Sequence, residues 1–146
     1  NDRHVEAAII EMELTAFSDR IATQLSGGEQ ARALIARALA QDTPILMADE
    51  PTASLDPANQ ISTLKIFSEL AQTGRGIIAS IHDLGLAARY CTKLALLDRG
   101  KLVAFGSADA VLTPDNLHTV FSIEAHYEKT KEGIIFQPLS VLKKSN

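Results

Sequence analysis

The sequence predicts an α/β protein in which a mostly parallel sheet carries flanking helices. Three observations predict it. Two short, largely apolar runs without alternation, Ile45-Leu46-Met47-Ala48 and Ile77-Ile78-Ala79-Ser80-Ile81, have the pattern of strands buried on both faces. Helical periodicity lies between them and resumes afterwards, so the rhythm is strand, helix, strand, helix, strand. Both runs end on ionisable residues, Asp49-Glu50 and His82-Asp83. The carboxyl ends of the strands are where such sheets place ligands.

In chain order, residues 5–14 carry Val5, Ala8, Ile9 and Met12 at helical spacing. After a polar stretch around Ser18, Asp19 and Arg20, Ser26 and Glu29 form an S-x-x-E capping box that marks a helix start. Ala31, Leu34, Ile35, Ala38 and Leu39 then fall on one apolar face. Pro44 opens the first strand. Asp56-Pro57 starts the next helix, with Asp as cap and Pro in the first turn. Ile61, Leu64, Phe67, Leu70 and Ala71 form its buried stripe, and Gly74 ends it. The second strand follows, then a short helix over Leu84–Tyr90. Residues 93–98 and 101–105 pair as a hairpin around Arg99-Gly100. Two short helices are expected over 109–112 and 115–121. A tail hairpin over 124–129 and 133–138 is expected to turn at Glu132-Gly133.

The 146 residues hold 14 Lys and Arg against 18 Asp and Glu, a formal charge of −4, with 46% hydrophobic and 22% charged residues. That balance excludes a disordered, fibrous or strongly basic chain and argues against nucleic acid as a partner. No apolar run approaches the roughly 18 residues of a membrane-spanning helix. The single cysteine, Cys91, permits no internal disulfide; it reads as a small core residue in a reducing setting.

Three features carry chemistry. Asp49 closes an apolar strand and Glu50 follows it. On an extended chain the two point opposite ways, and Pro51 is expected to keep Glu50 extended. One carboxylate can support Mg²⁺ beside nucleotide phosphates while the other polarises an attacking water. By themselves the pair also reads as two solvated acids at a strand-to-loop transition. Ser26-Gly27-Gly28 at a helix N-terminus leaves backbone N–H groups uncovered, so that a phosphate could approach, and the Ser hydroxyl adds a donor; an ordinary flexible cap is the other reading. His82, at a strand end, could donate to a γ-phosphate or serve as a structural hydrogen-bonder.

Together these features resemble the ATP-binding-cassette (ABC) ATPases. Leu25-Ser26-Gly27-Gly28-Glu29-Gln30 is similar to that family's signature motif, and Ile45-Leu46-Met47-Ala48-Asp49-Glu50 to its Walker B motif with the catalytic glutamate. Ser54-Leu55-Asp56 resembles its D-loop, and His82 its switch histidine. The resemblance implies a P-loop NTPase (RecA-like) core with ATP and Mg²⁺ as ligands. It implies Asp49 at the metal, Glu50 and His82 as catalytic groups, and Ser26, Gly27, Gly28, Glu29 and Gln30 at the nucleotide. Two such domains face head to tail in this family. Ser26, Gly27 and Gly28 would act in trans on the partner's ATP, and Asp56 would lie at the dimer interface. The implied partners are a second nucleotide-binding domain, transmembrane permease subunits and, indirectly, a substrate-binding protein. The implied location is the cytoplasmic face of the membrane.

Three features of the family have no match here. The phosphate-binding Walker A loop, G-x-x-x-x-G-K-[ST], does not occur, and Gly100-Lys101 sits in a hairpin turn with Leu102 after it. The Q-loop glutamine and the adenine-stacking aromatic lie upstream of the signature in the family. The chain is therefore expected to be the C-terminal part of one nucleotide-binding domain, inactive alone. Residues 1–42 would belong to the helical subdomain, 43–122 to the catalytic core, and 123–146 to a C-terminal hairpin and tail. Ile81-His82-Asp83-Leu84, Ala87-Ala88-Arg89-Tyr90 and Leu97-Asp98-Arg99-Gly100-Lys101 resemble the importer ATPases for iron-siderophores, haem and vitamin B12. Importers of zinc or amino acids, a chromosome-maintenance ABC ATPase and a module that only donates its signature are the alternatives. Residues 5–24 show no heptads for the coiled coil of a chromosome-maintenance protein, and a signature donor would not need Asp49, Glu50 and His82.

Overall fold

The computed structural model describes residues 2–131 and 133–142. The chain divides into two units, Asn1–Ile81 and His82–Asn146.

The first unit begins with α1 (Asp2–Glu11). Its helix ends where Glu13 takes φ +55° and the Leu14 N–H reaches back to the Ile9 carbonyl at 2.8 Å. This left-handed stop places Met12 and Leu14 in the core just past the helix. α2 (Gly27–Leu39) starts at the predicted capping box and buries Ile35, Ala36 and Leu39. Leu34, expected on the apolar face, is 63% exposed. The buried stripe is rotated because α1 and α3 (Pro57–Gln72) both pack on α2. α3 starts as predicted, with Asp56 as its cap and Pro57 in its first turn, and buries Leu64, Phe67 and Leu70.

β1 (Ile45–Ala48) and β2 (Gly76–Ala79) pair in parallel, with Ile45 opposite Gly76 and Ala48 opposite Ala79. Leu46 is buried. Ile45, Met47 and Ile78, which point to the other face, are 53%, 77% and 55% exposed. The expectation of strands buried on both faces is thus met on one face only. Helix α3 packs against β2, and among the described residues of this unit nothing covers the opposite side.

The second unit opens with α4 (Leu84–Tyr90), capped by Asp83, whose Oδ1 accepts the Leu86 N–H at 2.8 Å. β3 (Leu94–Asp98) and β4 (Lys101–Gly106) form the predicted hairpin. Arg99 and Gly100 both take positive φ, +48° and +76°, as a two-residue hairpin turn requires. Next come α5 (Ala108–Val111) and α6 (Pro114–Asn116), the latter running into a wider π turn over Leu117–Phe121. β5 (Ile123–Thr130) and β6 (Gly133–Val141) make the tail hairpin, longer than predicted. Glu132 of its expected turn lies outside the described residues. The core of this unit is Ala88, Leu96, Ala108, Val111, Leu112 and Leu117, with Tyr127 and Phe136 packed against it. Tyr127 Oη donates to Asp109 Oδ1 at 2.5 Å and Lys129 Nζ donates to Oδ2 of the same carboxylate, which ties β5 to α5.

Candidate functional site

In the first unit, Ser26 stands outside α2 in extended geometry. Its Oγ accepts the Glu29 N–H at 3.4 Å, and its own N–H donates to Glu29 Oε2 at 2.8 Å. The Ser26 N–H holds the Glu29 carboxyl below its usual range. Gln30 Nε2 donates to the Leu25 carbonyl at 2.9 Å and braces the loop from below. The Gln30 N–H is taken by the Ser26 carbonyl. The cap therefore leaves the N–H groups of Gly27 and Gly28 as the outward donors of the helix N-terminus.

The two glycines differ in surroundings. A Cβ on Gly27 would meet only Leu55 Cδ2, at 3.8 Å. A Cβ on Gly28 would lie 2.0 Å from Asn59 Oδ1 and 2.7 Å from its Cγ. Asn59 is held in turn by Asp56: its N–H reaches Oδ1 at 3.0 Å and its Nδ2 reaches Oδ2 at 2.5 Å. These bonds, the backbone one foremost, lower the pKa of the Asp56 carboxyl. Asp56 is thus brought beside the start of α2 through Asn59, a residue that sequence reasoning missed. The absent Cβ of Gly28 makes room for a side chain of this same chain.

Asp49 and Glu50 lie just past β1, both exposed. Glu50 is not extended as expected: its φ is +46°. Two bonds impose the turn. The Glu50 N–H donates to Ser80 Oγ at 2.7 Å, and its carbonyl accepts the Ala53 N–H at 3.0 Å. Ser80 Oγ also donates to Asp49 Oδ1 at 2.6 Å. Ser80 is the second residue missed. The available signal was a single hydroxyl in the run Ile77-Ile78-Ala79-Ser80-Ile81, at a strand end expected beside Asp49. His82 opens the second unit, where it is exposed.

The donor set suits magnesium. One exposed carboxylate at a strand end is the hard oxygen ligand that Mg²⁺ takes alongside phosphates and water, and no cage is needed. Among the described residues no cluster of three or more His, Cys, Asp or Glu that could hold a metal occurs.

Comparison with known proteins defines the class. Residues 1–53 match the ABC transporter family. The chain is 47% identical over 118 residues to the cobalamin import ATP-binding protein BtuD of Halobacterium salinarum, covering 80% of this chain and 30% of that one. It is 43% identical over 121 residues to the hemin import ATP-binding protein HmuV of Nocardia farcinica, covering 83% and 42%. Its fold matches an inward-facing metal-chelate type ABC transporter with a TM-score of 0.84 at 30% identity, over 94% of this chain and 57% of that one. The chain belongs to the ABC transporter ATP-binding domains, of P-loop NTPase α/β fold. It spans less than half the length of these two curated relatives.

Proposed function

We propose that the chain supplies the hydrolytic and signature portion of an ABC importer ATPase, in the organisation 1–42, 43–122 and 123–146 set out above. The observation that carries this is the Asp49-Glu50 pair at the carboxyl end of β1, held by Ser80 in the same unit as the open N-terminus of α2. Asp49 is the residue that would hold Mg²⁺, which supplies charge neutralisation at the phosphates when bound. Glu50 accepts a proton from the attacking water as general base. His82 donates to the γ-phosphate. Ser26, Gly27 and Gly28 present a hydroxyl and two N–H groups to the phosphates of a partner's nucleotide, with Glu29 and Gln30 bracing the loop. Asp56, bound to Asn59 against Gly28, sits at the interface between the two domains.

The same reading assigns the permease subunits and, through them, a substrate-binding protein as partners, at the cytoplasmic face of the membrane. The cargo class it favours is the iron-siderophore, haem or cobalamin type, supported by the relatives' names. The 146 residues hold no G-x-x-x-x-G-K-[ST] phosphate-binding loop, so the segment alone is expected to turn over no ATP.

A mixed dimer of the full-length ATPase subunit tests the trans arrangement. One subunit carries Ser26→Arg and the other Glu50→Gln. If the signature acts in trans, one composite site is intact and hydrolysis persists, whereas each homodimer is dead. If it acts in cis, both sites are damaged and the mixed dimer is as dead as either homodimer.

A further inference from the structure

We infer that Ser80 is a positioning residue for the hydrolytic pair, setting both the Asp49 carboxylate and the Glu50 backbone through one hydroxyl. This rests on the reading of Asp49 and Glu50 above and deepens it.

Proton bookkeeping fixes the direction of both bonds. A backbone N–H can only donate, so at 2.7 Å from the Glu50 nitrogen the Ser80 oxygen accepts. Its own proton is therefore available to Asp49 Oδ1, 2.6 Å away, and an ionised carboxylate can only accept. One hydroxyl thus receives from one catalytic residue and gives to its neighbour.

The sheet delivers Ser80 to this point. Parallel pairing sets Ala48 opposite Ala79, and the ladder continues one step further with the Ser80 N–H on the Ala48 carbonyl at 3.1 Å. Ser80 is thereby anchored by its own backbone beside the β1 exit. Its hydroxyl occupies Asp49 Oδ1, which leaves Oδ2 as the oxygen that would be offered to a cation. A carboxylate so held binds metal in one orientation, as outer-sphere partners of metal ligands do.

The second consequence is at Glu50. A glutamate at φ +46° adopts a backbone that side chains disfavour, so something must hold it there. Ser80 Oγ supplies a bond that the Glu50 N–H makes in this geometry. Without it only the Ala53 N–H bond to the Glu50 carbonyl remains of the two that impose the turn, which loosens the backbone and the direction in which the Glu50 carboxylate leaves the chain. Alanine at position 80 would keep the strand and remove both restraints.

The test uses the full-length ATPase subunit with its permease, in wild-type, Ser80→Ala, Ser80→Thr and Glu50→Gln forms, with hydrolysis followed over ATP and Mg²⁺ titrations. Separately from turnover, Mn²⁺ affinity in the presence of a non-hydrolysable ATP analogue is followed by electron paramagnetic resonance, which Ser80→Ala should weaken and Ser80→Thr restore. Loss of such an outer-sphere hydroxyl is expected to lower kcat about ten- to a hundredfold and to raise the Mg²⁺ needed for half-maximal rate. The KM for ATP should stay within about twofold, and Ser80→Thr should recover most of the rate. If Ser80→Ala does not fold, Ser80→Cys, which keeps the shape and a weak donor, takes its place with a smaller loss in the same direction. A Ser80→Ala rate and Mg²⁺ requirement equal to wild type overturns the inference, as does a threonine variant no better than alanine. If wild type and Glu50→Gln hydrolyse at the same rate, the underlying reading fails and this inference with it.

Discussion

Gly28→Ala tests the link between the signature helix and the segment that carries Asp56. A Cβ at position 28 would sit 2.0 Å from Asn59 Oδ1, whereas real Cβ contacts stay beyond 3.0 Å. The Asn59 amide must therefore retreat by about 1 Å or rotate away. It cannot do so quietly, because its Nδ2 is bound to Asp56 Oδ2 at 2.5 Å and its backbone belongs to the first turn of α3. Overpacking of this kind costs about 1–3 kcal/mol. Against it stands the gain from replacing glycine by alanine in a helix, at most about 1 kcal/mol. With the full gain the net loss lies between zero and about 2 kcal/mol, centred on about 1, read as a fall in the urea midpoint at unchanged slope. The decisive comparison is the same substitution in an Asn59→Ala background. With the amide gone the clash is gone, only the propensity gain remains, and Gly28→Ala should become neutral or stabilising. Equal destabilisation in both backgrounds, or stabilisation in the wild type, would show that Asn59 does not limit the side chain at position 28.

Two further outcomes are expected. Burial and then the Asp109 carboxylate push the Tyr127 phenol up to about 12. The neutral phenol is favoured in the folded state, so the stability it contributes is complete below the ordinary value of 10 and is lost as pH rises through about 12. Asp109→Asn should shift the Tyr127 ultraviolet titration to lower pH, and an unshifted curve would remove Asp109 as a cause. The bare face carrying Ile45, Met47 and Ile78 should make the 146-residue chain self-associate, and Met47→Lys should reduce this in sedimentation velocity. A wild-type monomer at all concentrations would contradict it.

What was legible in the sequence was local. The Ser26–Glu29 capping box, the Asp56-Pro57 helix start and the Arg99-Gly100 turn each depend on residues within a few positions, and each forms as expected. The bond between Ser80 and the Glu50 N–H spans 30 residues, and no short-range pattern contains it. The rule that a residue before proline stays extended therefore failed at Glu50, where a distant hydroxyl and a local turn hold the backbone at positive φ. Gly28 is similar: its glycine signalled open space for a ligand, but the nearest occupant is Asn59, which arrives on another helix. Strand burial was misjudged for a related reason. An apolar run reveals that both faces avoid water, not which segment covers each face, and Met47 remains bare in this unit.

If Glu50 activates the water that cleaves ATP, as proposed, loss of its carboxylate must slow hydrolysis and leave nucleotide binding in place. The most direct measurement is steady-state phosphate release by the full-length ATPase with and without Glu50→Gln, alongside nucleotide binding. Removing a general base is expected to lower kcat by about a hundredfold or more while ATP binding persists. A Glu50→Gln enzyme that releases phosphate at the wild-type rate would contradict the account.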